Sequence, residues 1–151
     1  MAANTTFTTG GVLTAAQMNN LPWGVVGHVV RQSGDLTATT VIQDLTDMSI
    51  TFTAVAGRLY RASWGANGLK NTAAGYTQIS FTDSSNVLYG YSLAYTVNGN
   101  YVNLSGVSLI SGLTAGSKTF KLRGITENNT ATLLAQATGP LQFMIEDMGA
   151  A

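Results

Sequence analysis

His28 is the only histidine in a chain that has no cysteine. Any Ser-His-Asp relay or imidazole metal site would have to be built around that one ring, and thiolate chemistry is excluded. Its setting, Val25-Val26-Gly27-His28-Val29-Val30, is an apolar strand. The ring therefore reads as a histidine on an exposed or interface face of that strand, not as a base or ligand. Two acidic pairs have the chemistry for glycoside hydrolysis or Ca²⁺ binding. Asp44 and Asp47 flank Leu45-Thr46 in an expected loop, and Glu146-Asp147 ends the last expected strand. Neither pair has the ligand density of a Ca²⁺ loop, so both read as solvated turn acids. Gly65-Ala66-Asn67-Gly68 and Gly106-Val107-Ser108 lack the Gly-Lys-Ser/Thr ending and following helix of a phosphate loop, and read as strand ends and bulges. Lys118, Lys121 and Arg123 fall on one polar strand face, which reads as an exposed face and not a nucleic-acid site. These residues predict a non-enzymatic protein with no catalytic, metal or cofactor site.

The aromatic residues offer a different chemistry. Trp64, Tyr76, Tyr89, Tyr91, Tyr95 and Tyr101 are the candidates for subunit contacts or for stacking on the sugar rings of a glycan. Seven Lys+Arg balance seven Asp+Glu, and charged residues make up 9% of the 151 positions, against roughly 25% in an ordinary soluble domain. Such a surface does not attract nucleic acid or anionic lipid through its field. Thr, Ser, Asn, Gly and Ala stand where monomers commonly place Lys and Glu, which favours a domain that spends its surface on association. No run of about 18 apolar residues is present, so no membrane insertion is expected. The opening Met-Ala-Ala-Asn-Thr-Thr lacks the basic and apolar regions of a secretory leader.

The elements that position these residues are strands. Met48, Ile50, Phe52 and Ala54 alternate with polar neighbours, as do Tyr60, Ala62, Trp64 and Ala66, then Phe120 and Leu122, then Leu141, Phe143 and Ile145. In the run from Tyr89 to Val97, Tyr89, Tyr91, Leu93, Tyr95 and Val97 are expected to face one way. Turn residues separate the runs, and Asn98-Gly99 reads as a type I′ hairpin between Val97 and Tyr101. Eight to ten strands result, over about 24–31, 36–42, 48–55, 58–67, 75–82, 87–97, 101–110, 117–125, 131–137 and 140–147. With no long amphipathic helix between them, they predict an all-β, antiparallel jelly-roll-like β-sandwich over residues 24–151. Residues 1–23 read as an N-terminal arm that either lies against the main domain or reaches to a neighbour, with a short helix from about Ala15 to Asn20 set by Thr14 and Gln17 and ended by Pro22. Val12, Leu13, Met18, Leu21 and Trp23 are the arm's candidate docking residues. A chain starting at Gly24 is expected to keep the sandwich and its melting behaviour.

Phe7-Thr8-Thr9-Gly10-Gly11-Val12-Leu13-Thr14-Ala15-Ala16-Gln17-Met18-Asn19 resembles the leader of small structural proteins from tailed phages of actinobacteria. Leu21-Pro22-Trp23-Gly24-Val25-Val26, the stretch from Met48 to Tyr60, the stretch from Ala115 to Leu122, and the ending Met144-Ile145-Glu146-Asp147-Met148-Gly149 extend the resemblance over nearly the whole chain. It implies a non-enzymatic virion component, a minor tail or fibre-like protein, with a body similar to tumour-necrosis-factor-like homotrimers. Its partners would be other virion proteins of tail or capsid, and any adhesion would be to a host surface glycan. A capsid decoration or head-fibre role and a carbohydrate-binding module are the alternatives.

Overall fold

The computed structural model describes residues 20–151, together with Ala15 and Met18. The described residues form ten strands in succession: β1 (Gly24–Arg31), β2 (Leu36–Ala38), β3 (Gln43–Ala54), β4 (Arg58–Asn71), β5 (Gly75–Asp83), β6 (Leu88–Thr96), β7 (Tyr101–Ile110), β8 (Gly116–Thr126), β9 (Ala131–Leu133) and β10 (Leu141–Ala150). They make two antiparallel sheets. In the first, β4 lies between β10 and β7, with β1 beyond β10 and with β9 and β2 continuing beside the far end of β4. The second has the order β3-β8-β5-β6. The chain crosses repeatedly between the sheets, as a jelly-roll sandwich requires.

The alternating apolar residues meet in the space between the sheets. Met48, Ile50 and Phe52 from β3, Tyr60 and Trp64 from β4, Phe120 and Leu122 from β8, and Phe143 and Ile145 from β10 are all buried there. Phe81 from β5 stacks on Phe120 and Trp64, with centroids 5.1 Å and 5.6 Å apart, so aromatic rings from both sheets form the centre. On β3, β8 and β10 the residues between the inward apolar ones turn outward, and this alternation fixes the register.

Three expectations about local structure are corrected. The Asn98-Gly99 turn does not close a hairpin, because β6 and β7 belong to different sheets. Asn100 N–H donates to Val97 C=O at 3.0 Å, and Gly99 but not Asn98 has positive φ, so the backbone is not the type I′ form that needs both. Asp44 and Asp47 lie within β3, not in a loop. Between Asp44 and Ser49 that strand carries extra residues relative to β8, and Asp47 takes a φ of 62° in the resulting bulge.

The third correction concerns the arm. Much of the helix expected at Ala15–Asn20, together with Val12 and Leu13, lies outside the described residues; Ala15 and Met18 are helical. Residues 20–23 lie against the sandwich as a strap, one of the two placements expected of the arm, and bond to it in a way that bears on the melting expected of a chain starting at Gly24. The buried Arg58 guanidinium donates from Nη2 to Leu21 C=O at 2.6 Å and lies 4.2 Å from the centre of the Trp23 ring. Ala150 N–H donates to Asn20 C=O. Gly149, at φ 104°, passes so close beneath that a Cβ there would sit 2.8 Å from the Asn20 oxygen. Removing the strap takes a charge-assisted acceptor from a buried guanidinium, worth about 1.5–3 kcal/mol. A chain starting at Gly24 is therefore expected to unfold at lower temperature than one starting at Asn20, while the latter melts like the full chain. Equal melting of the two shortened chains would show that the strap contributes nothing.

Candidate functional site

Most of the charged groups are engaged with one another. Asp44 accepts from Lys121 Nζ at 2.7 Å and from Arg123 Nε at 2.9 Å, which uses two members of the basic stripe; Lys118 donates to Thr114 Oγ1 instead. Asp47 pairs with Arg31, and Glu146 with Arg61. Asp147 is the clear departure from the solvated reading. It is buried, with its carboxylate held by Arg58 Nε at 2.5 Å and Nη2 at 2.6 Å, and it also accepts from Gly149 N–H. Its inward position follows from the register of β10, whose odd-numbered side chains point into the sandwich. His28 is exposed on β1, opposite Met144 of β10. Among the described residues, no three His, Cys, Asp or Glu side chains come together to hold a metal ion.

Hydrogen bonding from Lys121, aided by the charges of Lys121 and Arg123, holds the Asp44 carboxyl below the usual carboxylate range. A depressed folded-state pKa stabilises the fold fully above the unfolded value, about 3.9, and the contribution disappears as pH falls through the folded value. Asp44→Asn is thus expected to lower the urea midpoint at pH 7 slightly, by less than about 1 kcal/mol for a solvent-screened pair. The gap to the parent protein should narrow as pH falls below the unfolded value and close once the folded Asp44 is protonated. A gap that persists in acid would assign the effect to packing instead of charge.

Clefts indent the surface at two places among the described residues. One, of about 360 Å³, lies between β1, β2 and the β3 bulge and is lined by Arg31, Asp35, Gln43 and Asp44, whose polar groups already bond within the protein. The other, of about 270 Å³, is a depression on the outer face of the first sheet, floored by Ser63 and Gly65 and bordered by Gln142 and Met144.

The candidate aromatics separate into three groups. Trp64 is not available to a partner: it is 4% exposed, and its Nε1–H donates to Ser92 Oγ at 2.8 Å. The even-numbered positions of β4 as far as Ala66 face the core, and Gly106 of β7 leaves the space the indole fills; a Cβ there would lie 2.2 Å from its Cζ2. Tyr89 is half-buried against Phe81 and Phe120. The stripe expected from Tyr89 to Val97 breaks there because Phe81 faces Gly90 while Thr82 faces Leu88, so Tyr89 is the extra residue of a bulge and turns inward. Tyr76, Tyr91, Tyr95 and Tyr101 are exposed, as are Met18, Leu21 and Trp23 of the arm.

An apolar surface outside the predicted aromatic set adjoins the exposed tyrosines. β7 turns Val107 and Leu109 outward, 66% and 61% exposed. Among the described residues β6 pairs only with β5 and β7 only with β4, so each is a free sheet edge, and the two edges meet where Ser108 Oγ–H donates to Tyr89 C=O at 2.7 Å. From Ser84 to Ser117 the chain has no Lys, Arg, Asp, Glu or Pro. Free edges are normally guarded by charge or proline against pairing with other chains. This corner, with Tyr91 and Leu93 on one side and Val107 and Leu109 on the other, has neither guard. The signal was present in the sequence as a long uncharged stretch.

No protein-family model and no curated protein sequence matches the chain. Solved structures do. Murine APRIL aligns over 82% of this chain and 98% of its own at a TM-score of 0.55 with 6% identity. The Eiger TNF of S. frugiperda aligns over 85% and 94% at 0.50 with 8% identity. The chain has a tumour-necrosis-factor-like jelly roll. A tripod structure from the baseplate of bacteriophage Tuc2009 overlaps 99% of this chain and 78% of its own, at a TM-score of 0.44 and 14% identity. Within the jelly roll, the unguarded corner of β6 and β7 is the feature that points to function.

Proposed function

We propose that the protein is a non-enzymatic structural component of a phage virion, a homotrimer whose subunits meet through the β6–β7 corner and whose N-terminal arm attaches it to the particle. The observation that carries this reading is the pair of free, uncharged sheet edges with exposed Tyr91, Leu93, Val107 and Leu109. Leaving such a surface in water would expose four large side chains beside sheet edges that no charge or proline guards, and covering it with another copy removes them from water. The stoichiometry of three and the virion setting are supported by the sequence resemblance, and minor tail, fibre-like and capsid-decoration roles all fit the same architecture. The arm reading is supported by the exposed Leu21 and Trp23 on a strap that Arg58 ties to the sandwich, so the root of the arm leaves the body in a set direction.

Light scattering on the full chain at micromolar concentration should give about three times 15.8 kDa. A 15.8 kDa species there, with no assembly on intact particles, would sink the proposal. Removal of residues 1–19 should leave the trimer intact and abolish incorporation into particles, because three weakly apolar arms acting together supply the attachment.

A further inference from the structure

The two ends of the sandwich differ in chemistry. β4 runs the length of the body from Arg58, under the strap, to Asn71, a span of about 45 Å at roughly 3.3 Å per residue. At the strap end the exposed large side chains are aliphatic or indole: Leu21, Trp23, Val25, Val55 and Met148. The opposite end carries Tyr76 and Tyr95 on the outer face of β5 and β6, with rings 5.0 Å apart at 64° and side chains 47% and 53% exposed. Beside them lies the exposed turn Glu127-Asn128-Asn129. It is held in place by its own bonds. Glu127 N–H donates to Tyr76 C=O at 2.9 Å, Tyr76 N–H donates to Glu127 Oε2 at 3.2 Å, and Asn128 Nδ2–H donates to Ala74 C=O at 2.9 Å. Gly75 permits this close approach: a Cβ there would lie 3.0 Å from Asn128 Nδ2 and 3.4 Å from Glu127 Oε2.

We infer that this end is a binding site for a neutral saccharide, with Tyr76 and Tyr95 as the stacking surface and Glu127 as the acceptor for sugar hydroxyls. A tilted tyrosine pair presents an aromatic face and an edge at once, and the electron-rich face attracts the polarised C–H groups on the apolar side of a pyranose ring. An ionised carboxylate only accepts, and its oxygens suit the donors of adjacent hydroxyls. A pre-set carboxylate avoids the cost of ordering a flexible one at binding. Charge favours the uncharged ligand: Glu127 is the only ionisable side chain in the turn, so an anionic sugar would be repelled and a cationic one has no second acid to hold it. The corner that we assign to subunit contact is centred on Leu93, Val107 and Leu109, and the tyrosine pair adjoins it at the end of the body away from the strap. This inference goes beyond the structural role proposed above and does not require three copies.

The test is saturation-transfer NMR on the full chain with a panel of neutral methyl pyranosides at millimolar concentration, with light scattering on the same samples. At least one pyranoside should take up saturation at its ring C–H protons. Tyr95→Ala and Glu127→Gln should each raise its dissociation constant at least tenfold without changing the particle mass, and Thr53→Ala, on the exposed outer face of β3 and away from the turn, should leave it unchanged. Absence of saturation for every pyranoside overturns the assignment, as does unchanged affinity in Tyr95→Ala. If Tyr95→Ala instead dissociates the assembly, the pair is a subunit contact, and the saccharide site falls while the trimer stands. A monomeric parent protein that still binds sugar would mean the opposite, with the site standing and the trimer falling.

Discussion

Asp147→Asn is expected to destabilise the protein by about 3–5 kcal/mol, the cost of removing one partner from a buried ion pair, out of the roughly 5–15 kcal/mol typical of a domain. The substitution keeps the shape of the side chain but removes the charge opposite Arg58, which is itself buried. It also weakens the acceptor of Gly149 N–H, and with it the turn over which the strap passes. The neighbouring Glu146→Gln is the control. Its pair with Arg61 lies in the same strands but is partly exposed, so its loss should cost less than about 1 kcal/mol. Urea unfolding at pH 7 and fixed protein concentration measures both. If Asp147→Asn costs no more than this control, the buried pair does not hold β4, β10 and the strap together as argued.

The second large effect is on assembly. Val107→Lys with Leu109→Lys should convert the proposed trimer to a 15.8 kDa monomer while the β-sheet circular dichroism stays as it was. Both side chains point outward from β7, so the isolated fold has no use for them, and burying each at an interface is worth roughly 1.5–3 kcal/mol. At about 1.4 kcal/mol per tenfold, losing both weakens each contact by at least about a hundredfold, before counting the cost of burying two ammonium groups. Thr53→Lys on the outer face of β3, at the far edge of the second sheet, should leave the mass unchanged. A double-lysine variant that stays at three times the monomer mass would place the contact on another face.

Nearly every strand was legible in the sequence, and the reason is local. An antiparallel strand with one face in the core must alternate, so Met48-Ile50-Phe52 and Leu141-Phe143-Ile145 announce their own inward faces. The sparse charge was equally plain, and so was the tyrosine ladder. Trp64 shows where that reasoning failed: it belongs by sequence both to the inward alternation of β4 and to the candidate contact aromatics, and only packing against Phe81, Ser92 and the Gly106 gap settles which applies. Tyr89 obeyed the alternation in sequence and broke it in space, because one extra residue in β6 has no signature until its partner strand is known.

What the sequence by itself determined is the class of fold, the inward faces of its strands and an uncharged stretch from Ser84 to Ser117, since each depends only on neighbours along the chain. The tertiary structure decided the rest. Asn98-Gly99 became a passage between sheets instead of a hairpin, because strand partners are chosen by the whole sandwich. Arg58 and Asp147, 89 positions apart, became a buried pair that ties down the strap. The uncharged stretch became a corner of two sheet edges, with Tyr76, Tyr95 and Glu127 gathered at the end opposite the strap. Each of these rests on contacts between distant parts of the chain, whose pairing is fixed by the summed burial of both sheets and by no segment alone.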